Sequence, residues 1–198
     1  PTNQNRFDEC LPTVSFVIPA KNSTRTLDNC LSSIRKQNYP YIEIIVVDNG
    51  STDNTVDIAR KYADKVLFDS GKLGRVRQTG IESATGEIIG IFDSDIYLPH
   101  KNWLVDALAF FNCANNIATV WPKNIAPPNR PLFQRMYLNF GNLVLEDRIK
   151  RQRGIVGGGC ALILKSAFLN VGGYDDGVHW GEDFNLAQKL KNYGYMVV

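Results

Sequence analysis

The chain lacks the marks of several protein classes. Its 198 residues include four cysteines, Cys10, Cys30, Cys113 and Cys160, and none form a Cys-x-x-Cys pair. Cysteines scattered in this way argue against a zinc site and favour a reducing compartment. There are two histidines, and His100 belongs to no ligand pattern. No run is long and apolar enough to span a membrane. The longest uncharged stretch, Ala107–Pro122, contains three asparagines and divides into a helix end and a strand. The start carries no signal-peptide pattern. The net charge of +2 calls for no nucleic acid or other polyanionic partner. Neither GxxxxGK[ST] nor GxGxxG occurs, which removes the Walker and dinucleotide-binding loops. No internal repeat or low-complexity tract is present.

What is there is ordinary in bulk: 44% hydrophobic and 21% charged residues, as in a soluble globular protein. The length suits one domain with a full core. The expectation is a single domain over residues 1–198, with 1–11 as an N-terminal extension. The chain begins at Pro1 and stops in the apolar run Tyr195–Val198, the pattern expected of a fragment truncated at its C-terminus.

The first half alternates strand and helix patterns. Val14–Ile18 reads as a buried strand. Leu27, Cys30, Leu31 and Ile34 follow at helical spacing, with Ser23 and Thr24 as capping candidates. Glu43–Val47 is a second strand, ending at Asp48. Thr52 is a candidate cap for a helix carrying Val56, Ala59 and Ala63 inward. Further strands are expected at Lys65–Phe68, Ile88–Phe92 and Ile117–Trp121. Helices are expected around Val76–Ala84 and Trp103–Phe111. Strands alternating with helices predict an α/β fold, an open, mostly parallel sheet with helices on both faces. Ligands of such sheets bind beyond the carboxyl ends of the strands. Asp48 and Asp93 fall at those ends, as do Pro19, Ala20 and Asn22.

The second half is less regular. A strand is expected at Ile155–Leu164 and a helix at Glu182–Asn192. Leu132, Phe133, Met136, Tyr137 and Phe140 recur at near-helical spacing. Packing of that aromatic face on the core is the favoured reading. The basic cluster that follows, Lys150, Arg151 and Arg153, suits an anionic surface such as acceptor phosphate or lipid headgroups.

Asp93-Ser94-Asp95 leaves the Ile88–Phe92 strand with two carboxylates one residue apart. Carboxylates that close repel unless a cation or donors compensate. A hard divalent ion with oxygen ligands, Mg²⁺ or Mn²⁺, is the simplest compensation. Alone, such a run is more often just a turn.

Together these elements are similar to family 2 glycosyltransferases of the GT-A fold, a Rossmann-like architecture. The resemblance is carried, in order, by Val17–Asn22, Glu43–Asp53, Gly80–Ile81 with Ala84–Glu87, and Phe92–Asp95. Gly172–Asp175 and Gly181–Asp183 complete it. It spans residues 12–198, with little claimed for 122–153. It implies that Pro19, Ala20 and Asn22 line a base and ribose pocket, and that Asp48 accepts from a base ring N–H. Asp93 and Asp95 match the metal motif, with Asp93 and Ser94 also beside the nucleotide. Ile96 stands where many relatives carry a third acid. Arg77 aligns with a family arginine, and Gln78 departs from the usual Asn. Arg75 or Arg77 would face diphosphate or nearby carboxylates; a solvated basic helix face is the competing reading. Asp183 matches the catalytic base of inverting relatives, with Glu182 in support; helix N-terminal acids also arise for the dipole alone. Gly173, Tyr174, Asp175 and Trp180 would shape the acceptor side.

The resemblance implies an inverting transfer from a UDP- or GDP-linked sugar, with Mn²⁺ or Mg²⁺ as cofactor. The acceptor would be a glycan, a lipid-linked saccharide or a polyprenyl phosphate. A cytoplasmic location with peripheral contact at the cytoplasmic membrane face is expected. A sugar nucleotidyltransferase and a catalytically silent nucleotide- or sugar-binding module remain as alternatives.

Overall fold

In a computed structural model of the chain, residues 11–112, 116–123, 125, 131–150, 159–175, 178 and 181–198 are described; for 134, 138, 145 and 148–150 this covers the backbone alone. The first run of Val, Phe and Ile becomes β1 (Val14–Ala20), with every residue buried. A strand apolar on both faces belongs in the middle of a sheet covered on both sides. The polar-to-apolar alternation at helical spacing then gives α1 (Leu27–Arg35), which buries Leu27, Cys30, Leu31 and Ile34.

The pattern repeats through β2 (Ile42–Asp48), α2 (Thr55–Tyr62), β3 (Lys65–Phe68), α3 (Leu73–Ser83) and β4 (Ile88–Phe92). After β4 come α4 (Trp103–Ala109), a 3-10 turn at Phe110–Asn112 and β5 (Ile117–Val120). Then follow α5 (Leu132–Lys150), β6 (Cys160–Leu164), α6 (Lys165–Asn170), α7 (Glu182–Asn192) and β7 (Met196–Val197). The seven strands form one sheet in the order β3-β2-β1-β4-β6-β5-β7.

β1 pairs in parallel with β2 and β4, and β2 with β3. This is the predicted α/β sheet, and its register puts Ala20 opposite Asp48 at the carboxyl ends of β1 and β2. β4 pairs with β1 only as far as Val17, so Pro19 sits in a stretch flanked by β2. Proline lacks a ladder donor and is tolerated at such places. β6 runs antiparallel to both β4 and β5.

One glycine sets the spacing of helix and sheet beside the site. A Cβ on Gly80 of α3 would fall 2.3 Å from Val17 Cγ1 and 3.0 Å from Val47 Cγ2. Only glycine lets α3 lie that close to β1 and β2.

Several local expectations are corrected. α1 starts at Leu27, and the main-chain carbonyl of Ser23 accepts from Thr26 and Leu27, so neither Ser23 nor Thr24 is its N-cap. Thr52 does not cap α2; Asp53, the next residue, does the equivalent work, accepting the Thr55 N–H at 3.0 Å. The strand expected from Ile155 is observed from Cys160; residues 155–158 lie outside the described set. α5 forms, but its aromatic residues do not pack on the core: Phe133, Tyr137 and Phe140 are exposed. The reason is topological. β5 and β6 are antiparallel neighbours, so their connection need not cross a sheet face as a parallel crossover must.

Candidate active site

Three loops meet beyond the carboxyl ends of β1, β2 and β4. The loop after β1 turns at Asn22, the one non-glycine residue with positive φ among the described residues, at 49°. Asparagine tolerates that region because its short side chain bonds locally. Here its Oδ1 accepts from the Thr52 N–H at 2.9 Å, and its own N–H donates to Ser51 Oγ at 2.9 Å. Asn22 therefore ties the first loop to the second. Ser23 carries the tie onward: its Oγ lies 2.9 Å from Ser94 Oγ, and its N–H donates to Thr55 Oγ1 at 2.7 Å.

Asp48 is 3% exposed. Its Oδ2 accepts from the Gly50 and Ser51 N–H groups at 3.1 and 3.0 Å, the turn role expected of an Asp-Asn-Gly-Ser sequence. Its Oδ1 is buried and has no hydrogen-bond partner. A buried, unmatched acceptor is unfavourable unless a ligand supplies a donor. Asp48 thus holds its loop with one oxygen and keeps the other for a donor that the described residues do not provide.

Arg77 is the centre of the charge arrangement. It sits on α3, 1% exposed, and donates from Nη2 to Asp93 Oδ1 at 2.9 Å and from Nη1 to Glu182 Oε1 at 2.8 Å. Burial alone would weaken its charge; Tyr174, Asp93 and Glu182 around it outweigh that and keep it protonated. One guanidinium fork therefore joins the end of β4 to the start of α7. Arg75, by contrast, is half-exposed and pairs with Asp69 at 3.4 Å. The solvated reading holds for Arg75 and the carboxylate-facing reading for Arg77.

Asp93 is further fixed by its main chain, whose N–H donates to the Gly159 carbonyl at 2.8 Å. Burial raises its carboxyl above the ordinary range, Arg77 opposes the rise, and Asp95 and Glu182 add to it. The side chain is 42% exposed, so water moderates the shift. Asp95 is exposed and makes no hydrogen bond or ion pair with a described residue.

Among the described residues no group of three or more His, Cys, Asp and Glu converges. Two neighbouring carboxylates nonetheless fit a hard ion that takes its remaining ligands from phosphate and water, as Mg²⁺ and Mn²⁺ do. They do not make a zinc site. Cys30 and Cys160 lie near Asp93 as free, buried thiols. Burial, with Asp95 and Asp93 adding, pushes the Cys30 thiol up to about 12, which keeps it protonated at neutral pH.

α7 begins after Gly181, whose φ is 78°. Glu182 and Asp183 occupy its first turn, where acids favour the helix dipole. Glu182 is committed to Arg77, with its side chain 15% exposed. Asp183 Oδ1 accepts from the Phe184 N–H at 2.8 Å, and the side chain is part-exposed.

Residues 15–172 match Glycosyl transferase family 2. This chain belongs to family 2. Glycosyltransferase AglE of Haloferax volcanii is 27% identical over 194 residues, covering 93% of this chain and 63% of AglE. A mannosyltransferase from Pyrobaculum calidifontis, solved with GDP-Man and Mn²⁺, superposes with a TM-score of 0.73 at 21% identity, covering 96% of this chain and 55% of that one. TarS 1–349 of S. aureus in complex with UDP gives a TM-score of 0.68 at 25% identity, covering 90% of this chain and 54% of that one. The chain spans between about half and two thirds of these relatives. Membership of family 2 displaces the sugar nucleotidyltransferase alternative.

Against this family 2 frame, the expected residues fall into groups. Asp48, Asp93, Ser94, Asp95 and Arg77 gather where the β1, β2 and β4 loops meet. Ala20 is buried at the β1 terminus and Pro19 just before it. Glu182 joins them through Arg77, bringing Asp183 as its neighbour. Three residues of the expected acceptor side are engaged internally. Gly173, at φ 62°, would clash with Gln78 Oε1 and Phe168 if it had a Cβ. Tyr174 is 7% exposed, stacks edge-on against Phe168 and donates its main-chain N–H to Gln78 Oε1 at 3.2 Å. Asp175 pairs with Lys189 at 2.5 Å, and Lys189 also donates to the Gly173 carbonyl. Gln78, the departure from the usual Asn, is what pins this loop to α3. Trp180 lies outside the described residues. Two participants escaped the sequence reading. Gly159 falls inside the expected Ile155–Leu164 strand with no role of its own, and the Arg77–Glu182 link joins residues 105 apart.

Proposed function

We propose that this family 2 domain is an inverting glycosyltransferase that takes its sugar from a nucleotide diphosphate. The observation that carries the proposal is the Arg77 fork, which ties the Asp93-Ser94-Asp95 turn to the helix start bearing Asp183. The acidic pair suited to a metal-bound diphosphate and a carboxylate suited to proton transfer are thereby parts of one polar network.

The geometry and the family 2 resemblance support the following roles. Asp48 Oδ1, buried and unmatched, is the acceptor for a base ring N–H, which uracil and guanine both offer. A UDP- or GDP-linked donor is the substrate class, in keeping with the UDP and GDP-Man bound by the two structural neighbours. Asp95, exposed and unpaired, with Asp93 beside it, would hold Mn²⁺ or Mg²⁺. That ion would offset charge on the departing diphosphate. Arg77 fixes Asp93 and Glu182, leaving Asp183 as the carboxylate able to take a proton. Asp183 accepts the proton of the acceptor hydroxyl as its oxygen bonds to C1 of the sugar. The C1–oxygen bond to the diphosphate breaks on the opposite side, which inverts the anomeric centre.

The acceptor class is a glycan, a lipid-linked saccharide or a polyprenyl phosphate. The place of action is the cytoplasm, at the inner face of a membrane, consistent with the free Cys30 and Cys160 thiols.

The test is calorimetry with UDP, GDP and their sugar conjugates, with and without Mn²⁺, followed by assay of donor consumption. One nucleotide series should bind, and only with the metal. Asp95→Ala should abolish the metal-dependent part while leaving the melting temperature within a few degrees. Metal-independent binding, or unchanged affinity and turnover in Asp95→Ala, would remove the metal assignment.

A further inference from the structure

Helix α5 leaves its large apolar side chains in solvent. Leu132, Phe133, Met136, Tyr137, Phe140 and Leu143 are each at least 61% exposed. At 3.6 residues per turn these six share one continuous side, about 140° wide. Arg135, Asn139, Asn142 and Glu146 follow along one flank of that side, and Lys123 pairs with Glu146 at 2.5 Å. Scattered apolar residues on a surface need no explanation, but a contiguous patch over three helical turns marks an interaction surface.

Charge decides what it meets. Residues 122–153 contain seven Lys and Arg against two acids, a net +5, whereas the rest of the chain carries −3. The basic residues concentrate at the end of α5 and just after it, at positions 148, 150, 151 and 153. A second copy of this chain would set +5 against +5. A polyanion in water would leave the aromatic side uncovered. An anionic bilayer answers both features, because acyl chains receive the apolar side and headgroups receive the cations.

We propose that α5 lies flat in the interface of an anionic membrane. Leu132 to Leu143 enter the acyl boundary, and the basic end of the helix rests against headgroups. The helix is an interfacial one; no described helix is long and apolar enough to cross a membrane. This docking is independent of the transfer reaction, and its readout needs no turnover.

The experiment is vesicle flotation of the whole chain with phosphatidylcholine alone and with phosphatidylglycerol added, at low and high salt. Binding to the anionic vesicles is expected, and it should fall as salt rises. Phe133→Ser with Phe140→Ser should weaken it about tenfold or more, and Lys150→Glu with Arg151→Glu should do the same. Nucleotide binding and the melting temperature should be unchanged in both variants, since these phenylalanines are exposed. Sedimentation velocity runs alongside. Equal binding to neutral vesicles, no binding to either, or a dimer that the phenylalanine variant dissolves would each overturn the proposal.

Discussion

Gly159 has no side chain because Asp93 occupies the space one would need. A Cβ there would fall 2.2 Å from Asp93 Oδ2 and 2.9 Å from its carboxyl carbon. Arg77 holds the other oxygen of that carboxylate, so Asp93 is clamped between a guanidinium and a glycine. Gly159→Ala would turn Asp93 away from its neighbour Asp95 while disturbing little else. We predict a loss of about 10- to 100-fold in Mn²⁺-dependent nucleotide affinity, the usual effect of disturbing what orients a metal ligand. Calorimetry would read it beside an unchanged circular dichroism spectrum; unaltered affinity would show that the clamp is without consequence. Asp183 poses the complementary question. Its partner in the acidic pair, Glu182, is tied to Arg77, and Asp183 is not. Asp183→Asn keeps the shape and removes the proton acceptor. Turnover should fall by about 10² to 10⁴ while donor affinity holds. If steady-state kinetics with the true acceptor show near-normal turnover, the base lies elsewhere.

At the scale of elements, the end of the sheet opposite the site is stapled by one acid. Glu43 on β2 pairs with Lys65 of β3 at 2.9 Å. It accepts from the Ser15 hydroxyl of β1, and from the Thr85 N–H at 2.8 Å and hydroxyl at 3.0 Å, between α3 and β4. Burial pushes its carboxyl up, but the Ser15, Thr85 and Lys65 bonds outweigh it and hold the value down to about 2. A carboxyl depressed in the folded state stabilises the fold above its unfolded value. That contribution is lost as pH falls from about 4.5 toward about 2. Glu43→Gln should therefore destabilise the protein at neutral pH by about 1–3 kcal/mol, and the gap from wild type should close across that acid window. Chemical denaturation at a series of pH values would measure it. Parallel stability curves for the two proteins would contradict the staple. Connections between elements decide exposure as much as sequence does: α5 has an apolar side, yet the antiparallel β5–β6 pairing leaves it off the sheet.

For the whole molecule, the alternation of buried strands and amphipathic helices was enough to predict the parallel half of the sheet. Parallel pairing in turn brings strand carboxyl ends together, so Asp48 and Asp93 were legible as neighbours although 45 residues separate them in the sequence. The antiparallel β6 was not, because a run of apolar residues carries no sign of strand direction. Nor could spacing choose between Arg75 and Arg77, two residues apart on one helix. Their difference, one half-exposed and one 1% exposed, comes from which side of α3 rests on β1 and β2 through Gly80. The sequence by itself determined the alternating elements of the first half, the parallel part of the sheet and the acids at strand ends, because periodicity and turn chemistry act over a few residues. Only the tertiary structure decided that Arg77 bridges Asp93 and Glu182, that Gly159 clamps Asp93 and that the aromatic side of α5 faces outward. Each of those depends on contacts between segments far apart in the chain, and close packing of distant elements fixes them where local pattern has no reach.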